Sequence, residues 1–199
     1  MICITNIFIV LEEKIKMIVI IGKTASGKDT LLNLLVSKYG FEKIITYTTR
    51  PKRRGEKQGK TYHFISEEDF KNKVKDGFFA EWKTYNTEFG DWYYGSSLED
   101  LEKASDNTAI ILTPDGYRDV VNNLSNKPKV IYVYTNNSTI KERLKKRGDN
   151  KEEAQRRVEH DNTDFKGVEN EVDVIFYNNS DTDIEELAEK VVTWIKKEK

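Results

Sequence analysis

The sequence predicts an α/β fold in which helices flank a parallel β-sheet and a polar insertion interrupts the core. Three observations carry this. Short apolar, β-branched runs alternate with helix-length amphipathic stretches, the signature of right-handed βαβ units. The first of those runs leads into Gly22-Lys23-Thr24-Ala25-Ser26-Gly27-Lys28, a G-x-x-x-x-G-K string. Between about Arg50 and Ser97 the alternation lapses. At 199 residues the chain has the size of one domain, or of one core with an inserted subdomain.

Met17–Ile21 (MIVII) is a continuous apolar run ended by glycine, the pattern of a buried parallel strand. Gly22–Gly27 breaks it. Thr30–Tyr39 carries Leu31, Leu34 and Leu35 at helical spacing, and Gly40 stops the helix. A second strand is expected near Lys43–Tyr47. The stretch from Arg50 to Gly59 is rich in Lys, Arg and Gly and contains Pro51, so it reads as a polar loop. Ser66-Glu67-Glu68-Asp69 resembles a capping box with Asp in place of Glu, and Gly77 ends the helix it opens. Phe78–Trp82 reads as a strand. Thr87–Gly95, aromatic and glycine-bearing, is a loop or hairpin. Strand then helix returns at Ala109–Leu112 with Tyr117–Leu124. It repeats at Val130–Tyr134 with Ser138–Arg147, and at Val172–Tyr177 with Ile184–Lys197.

Lys plus Arg number 33 and Asp plus Glu 34, a net charge of −1, which argues against a surface built to coat nucleic acid. Hydrophobic residues make up 37% and aromatics 11%, enough for a lean folded core. The single cysteine, Cys3, allows no intrachain disulfide, so a reducing cytoplasm is the expected compartment. The apolar stretch Met1–Leu11 lacks a basic flank and a cleavage site, and Glu12-Glu13-Lys14 ends it too early to span a bilayer. Residues 1–16 read as an added segment ahead of the true first strand, and no membrane partner is expected.

The G-x-x-x-x-G-K string follows an apolar strand and opens a helix, the context this motif requires. Glycines let the chain wrap with backbone N–H groups turned toward an anion, and the helix N-terminus adds partial positive charge. Lys28 supplies a point charge for β- and γ-phosphates. Gly22, Lys23, Thr24, Ala25, Ser26, Gly27, Lys28, Asp29 and Thr30 are therefore the candidate residues for binding a nucleoside triphosphate, which the resemblance given below implies is ATP. Asp29 stands where the pattern has Ser or Thr. A carboxylate is a hard ligand for Mg²⁺, and here the expected contact runs through water.

A second set of strings is more specific. Thr48-Thr49-Arg50-Pro51-Lys52-Arg53-Arg54-Gly55-Glu56 is followed by Gly59 and Tyr62-His63-Phe64. Gly77-Phe78-Phe79-Ala80-Glu81-Trp82 and Tyr93-Tyr94-Gly95-Ser96 come next. With Gly22–Lys28, these blocks resemble the guanylate kinase family of nucleoside monophosphate kinases, in order and at nearly the family's spacing, from about Met17 to the C-terminus. The resemblance implies a P-loop parallel sheet flanked by helices, with an inserted nucleotide-monophosphate-binding subdomain at about 50–96 and a helical lid at about 141–165. The core is then 17–49 and 97–199. It implies transfer of the γ-phosphoryl group of ATP to GMP, with Mg²⁺ as cofactor and small nucleotides as partners of a monomer or homodimer.

Chemistry agrees with that reading residue by residue. Arg50 and Arg53 can fork onto a monophosphate dianion, and Tyr62 and Tyr94 can donate hydroxyls to it. Guanine offers two N–H donors on one edge, so a carboxylate is its natural partner, and Glu81 occupies the family's position for it. Thr46 and Ser96 stand where the family uses hydroxyls against the base. After the strand at Ala109–Leu112 the family carries an acid, whereas this chain runs Thr113-Pro114-Asp115. Thr113 can take over base reading, or Asp115 can serve as the displaced acid and a metal ligand. The stretch between Trp82 and Tyr94 is longer than the family pattern. Arg143 and Arg147 share a helix face and match the lid arginines that close over ATP phosphates. Lys28, Arg50, Arg143 and Arg147 are the expected catalytic residues. Two other readings stand beside this one. The acceptor could be dGMP, another deoxynucleotide or a phosphorylated ribose, or the fold could be a catalytically inactive phosphopeptide-binding module.

Overall fold

The computed structural model describes residues 17–53, 55–87, 90–124 and 127–198. The expectation of an added segment at 1–16 lies outside them. Strand β1 (Ile18–Ile21) forms the middle of a five-stranded parallel sheet. Its neighbours are β7 (Thr108–Ile111) on one side and β8 (Lys129–Tyr134) on the other. Beyond them lie β2 (Glu42–Lys43) and β9 (Val174–Tyr177), giving the order β2-β7-β1-β8-β9.

The run Ile18–Ile21 is apolar throughout because both faces of the sheet are covered. Ile18 and Ile20 pack with Leu31, Leu32 and Leu35 of α1 (Lys28–Tyr39) and Val191 and Ile195 of α7 (Ile184–Lys197). Val19 and Ile21 point the other way, toward Val120 of α4 (Pro114–Asn123), Tyr132 and Phe165. Each fully buried Ile or Leu contributes about 1.5–3 kcal/mol relative to exposure. Helix α1 begins at Lys28, two positions before the apolar periodicity, because Gly27 in the left-handed region (φ 90°) turns the loop straight into the helix. Its carbonyl accepts the Leu31 N–H at 2.9 Å.

The strand expected near Lys43–Tyr47 is divided between two sheets. Glu42–Lys43 pairs with β7, and Ile44 N–H still reaches the Ala109 carbonyl at 3.2 Å. The chain then crosses into a four-stranded sheet as β3 (Tyr47–Thr48), beside β4 (His63–Phe64) and β6 (Gly90–Ser97), with β5 (Phe79–Thr87) outermost. Between β4 and β5 runs α2 (Glu67–Lys75), whose N-cap Ser66 accepts the Asp69 N–H at 3.0 Å. The segment expected as loop or hairpin is a hairpin, in register from Trp82 opposite Gly95 to Thr87 opposite Gly90. Lys83–Thr87 and Gly90–Trp92 lie in its paired strands. The short α3 (Leu98–Glu102) returns the chain to the core. The Arg-rich stretch forms α5 (Asn137–Arg147) and α6 (Lys151–Asp164), and Gly148, left-handed at φ 78°, separates them.

Candidate active site

The site lies at the carboxyl ends of the parallel strands, where α/β sheets open a crevice. Immediately after β1 comes the loop Gly22–Lys28. A Cβ on Gly22 would stand 2.6 Å from Ser26 Oγ and 2.9 Å from the Val133 carbonyl. A Cβ on Gly27 would stand 2.3 Å from Asn178 Nδ2. Glycine is therefore required at both positions by close approach. Ala25 also has positive φ (54°), so the loop is wrapped tightly.

The restraints on this loop come from residues just past the other strands. Asn178, after β9, donates Nδ2–H to the Ser26 carbonyl at 2.7 Å. Thr135, after β8, lies 3.2 Å from the same carbonyl and donates to Asn178 O at 2.9 Å. Arg143 on α5 reaches back to the Ala25 carbonyl at 3.2 Å and to Asn178 Oδ1 and Asn179 O at 3.3 Å each. Burial lowers its pKa. With carbonyls held from below, the loop is a cradle shaped for an anion. Among the described residues, Ser26 Oγ is the one buried side-chain polar atom with no hydrogen-bond partner. Lys28 Nζ reaches Lys23 O at 3.4 Å. Asp29 and Thr30 are exposed in the first turn of α1.

In the second sheet, Arg50 is only 4% exposed. Its guanidinium bonds Glu56 Oε1 at 2.6 Å and the Pro51 carbonyl at 2.8 Å, and lies 5.5 Å from the centre of the Tyr62 ring. Burial works against its charge, but hydrogen bonding to Glu56 and the nearness of Tyr94 raise its pKa overall. Glu56 also accepts the Arg53 N–H at 2.7 Å, and Arg50 holds the Glu56 carboxyl below its ordinary range. The Arg53 side chain is exposed. Tyr62 packs edge-on against Tyr94 at 6.0 Å, and burial pushes its phenol up, so it remains a donor.

Deeper in, Glu81 is 8% exposed and accepts the Ser96 hydroxyl at 2.6 Å. Burial pushes its carboxyl above the ordinary range, opposed by Ser96 and by the Lys83 ammonium. Its other oxygen faces Gly116 in the first turn of α4, where a Cβ would stand 3.0 Å away. Thr113 caps that helix, accepting the Gly116 N–H at 3.1 Å, and is thereby brought beside Glu81. Asp115 points elsewhere. It bonds Arg118 at 2.7 Å, lies 3.8 Å from Lys83 and is 61% exposed. Thr46 stands at the crossing between the sheets, its carbonyl accepting the His63 N–H at 2.9 Å. Arg147 forks onto Asp149, with Nε 2.6 Å from Oδ1.

Burial is the main cause that raises Tyr62 and the bond to Asp149 the main cause that raises Arg147, and the Asp29 carboxylate adds to both. Asp149 is lowered mainly by Arg147, with Arg53 adding to it. Asp29, in the first turn of α1, is thus within electrostatic reach of the Arg50–Tyr62 cluster and of the end of α5. The Guanylate kinase family model matches residues 14–198.

The chain belongs to the guanylate kinase family. It is 32% identical over 183 residues to the guanylate kinase of Wolinella succinogenes, covering 88% of this chain and 82% of that one. It is 29% identical over 170 residues to the guanylate kinase of Sulfurimonas denitrificans, covering 82% and 80% respectively. The crystal structure of guanylate kinase from Anaplasma phagocytophilum superposes with a TM-score of 0.67 at 22% identity, covering 94% of this chain and 87% of that one, which shows the shared fold.

Guanylate kinase motifs in the sequence point to Arg50, Glu81 and the loop glycines, but not to Asn178, Thr135 or Asp161. Asn178 and Thr135 hold the phosphate loop from directly behind β9 and β8, and their place after strand ends is the signal that could have found them. Asp161, which accepts the Thr24 N–H at 2.6 Å, lies in the last turn of α6 and carries no sequence signal.

Proposed function

We propose that this chain transfers the γ-phosphoryl group of ATP to the phosphate of GMP, giving ADP and GDP for purine nucleotide metabolism in the cytoplasm. The observation that carries the acceptor is the buried pair Glu81–Ser96. A buried carboxylate with one oxygen held by a hydroxyl and the other beside Gly116 and Thr113 is stabilised most by a ligand edge bearing two N–H donors, which guanine has. Thr113 and Thr46 are the nearby hydroxyls for the rest of that base.

Arg50, with Arg53, Tyr62 and Tyr94, holds the acceptor phosphate. Glu56 now occupies the Arg50 fork, so the acceptor displaces or shares that carboxylate. The loop from Gly22 to Thr30, with Lys28, holds the donor phosphates, and Arg147 is the lid arginine that swings from Asp149 to them. Arg143 keeps the cradle in shape from behind. Residues 50–96 act as the acceptor-binding insertion and 141–165 as the lid. Two anions are brought in line, so the work of the protein is positioning and charge neutralisation, with water excluded on closure. No general base is assigned, because the acceptor phosphate is already largely ionised at neutral pH.

Magnesium fits the donor set. Asp29 offers an exposed hard oxygen beside the cradle, and no group of three potential ligand side chains forms a closed metal cage among the described residues. An ion there would be held by Asp29 through water and by substrate phosphates. When bound it would supply charge neutralisation to the phosphates. Asp115 is engaged by Arg118 and Lys83, so the metal role rests on Asp29.

The test is a coupled ADP-release assay across GMP, dGMP, AMP, CMP, UMP and dTMP. GMP is expected to be the preferred acceptor. Preference for AMP overturns the role given to Glu81, and absence of ATP binding in a titration favours the phosphopeptide-binding alternative.

A further inference from the structure

Helix α6 touches the phosphate loop at two adjacent positions. Asp161 Oδ2 accepts the Thr24 backbone N–H at 2.6 Å, and Asn162 Oδ1 accepts the Lys23 ammonium at 2.7 Å. The loop is thus gripped from both sides, by Asn178 and Thr135 beneath and by α6 across its mouth. Asp161 is a half-buried carboxylate placed on a backbone N–H of an anion cradle. The Lys28 ammonium, which donor phosphates must meet, acts on the same carboxylate. The other groups acting on it are Asp164 and His160 from α6, and it acts in turn on Tyr85 of β5 and Tyr132 of β8. Arg157 stands one helical turn before Asp161 on the same face of α6. Fixing Asp161 on the loop therefore also fixes the face that carries Arg157.

We propose that Asp161 is a positioning residue for donor binding, with two separable effects. Its hydrogen bond to Thr24 docks α6 and keeps the loop in shape, which favours ATP. Its negative charge competes with the phosphates for Lys28, which disfavours ATP and speeds departure of the nucleotide. A charge-assisted bond of this kind is short and strong, so it helps the loop keep its shape. A bound polyanion meets a like charge at close range in a partly dry site, where repulsion is poorly screened. The inference rests on the donor site proposed above and adds a residue to it.

Two variants separate the effects. Asp161→Asn keeps an oxygen able to accept the Thr24 N–H and removes the charge. Asp161→Ala removes both. Titration of ATP in the absence of acceptor, with KM for ATP and for GMP, reads the outcome. We expect D161N to bind ATP about threefold more tightly or better, and D161A to bind it more weakly than D161N. KM for GMP should stay unchanged in D161N. If D161A does not fold, D161N alone decides. ATP affinity equal in wild type and D161N, or weaker in D161N, overturns the inference while leaving the donor site standing. No ATP binding by the wild-type chain overturns both.

Discussion

Gly27→Ala tests whether the phosphate loop is built as described. At φ 90° an Ala costs about 1–2 kcal/mol for entering the left-handed region. Its Cβ would also stand 2.3 Å from Asn178 Nδ2, so that side chain must leave the Ser26 carbonyl. The Ser26 carbonyl then keeps only the longer contact from Thr135, and a lost hydrogen bond costs about 0.5–1.5 kcal/mol. The expected loss is about 1.5–3.5 kcal/mol, a fall in Tm of roughly 3–14 °C for a chain of this size. Gly40→Ala is the control. Gly40 also has positive φ (72°), but nothing lies within 4 Å of its Cβ position, so only the conformational cost applies. Urea denaturation of both variants, with and without ATP, makes the comparison. G27A should be the less stable of the two, and ATP should raise the wild-type midpoint but not that of G27A. Equal destabilisation of G27A and G40A, with ATP stabilisation intact in both, would refute the account of the loop.

Three further outcomes are expected. Arg50→Ala should raise KM for GMP at least about tenfold with KM for ATP little changed, and Arg50→Lys should restore little, because an ammonium cannot reproduce the planar fork. Steady-state kinetics with each substrate varied in turn checks this. Burial raises the Glu81 carboxyl, so the ionised carboxylate that guanine needs is lost above the ordinary carboxylate range as pH falls. The acid limb of kcat/KM for GMP should therefore sit high, and Ser96→Ala, which removes a bond favouring the charged form, should move it higher still. Gly116→Ala should raise KM for GMP by pressing on Glu81, since its Cβ would stand 3.0 Å from Oε2 and 3.3 Å from Thr113 Oγ1, while the better helix propensity of Ala offsets part of the stability cost of that contact. Thermal melts and GMP kinetics on one preparation separate the two effects.

Residues that carry a local pattern were legible in the sequence. Ile18–Ile21 reads as a buried strand because every position is apolar, and Gly22–Lys28 reads as a phosphate loop because backbone geometry demands glycine there. Short strands that belong to different sheets were not legible. Glu42–Lys43 and Tyr47–Thr48 form one apolar-polar stretch, and only tertiary pairing with β7 and with β6 divides it. The hairpin at Thr87–Gly95 carried turn and aromatic signals, but its register depends on cross-strand contacts such as Tyr85 with Tyr94, 5.4 Å apart. At the site, Arg50 and Glu81 stand in strings whose composition is unusual. Asp161 and Asn178 are ordinary polar residues until the fold lays them against a loop more than 130 positions earlier in the chain.

That separation has a consequence for biosynthesis. The phosphate loop emerges from the ribosome early, yet the residues that clasp Ser26 follow 109 and 152 positions later. At 5–20 residues per second, roughly 8–30 s pass before Asn178 is made. During that interval β1 and α1 expose Ile and Leu side chains whose cover, α7, does not yet exist, a surface that chaperones recognise. The cradle closes only once Asn178 has been made, so retention on immobilised ATP should distinguish chains that include Asn178 from shorter stalled fragments.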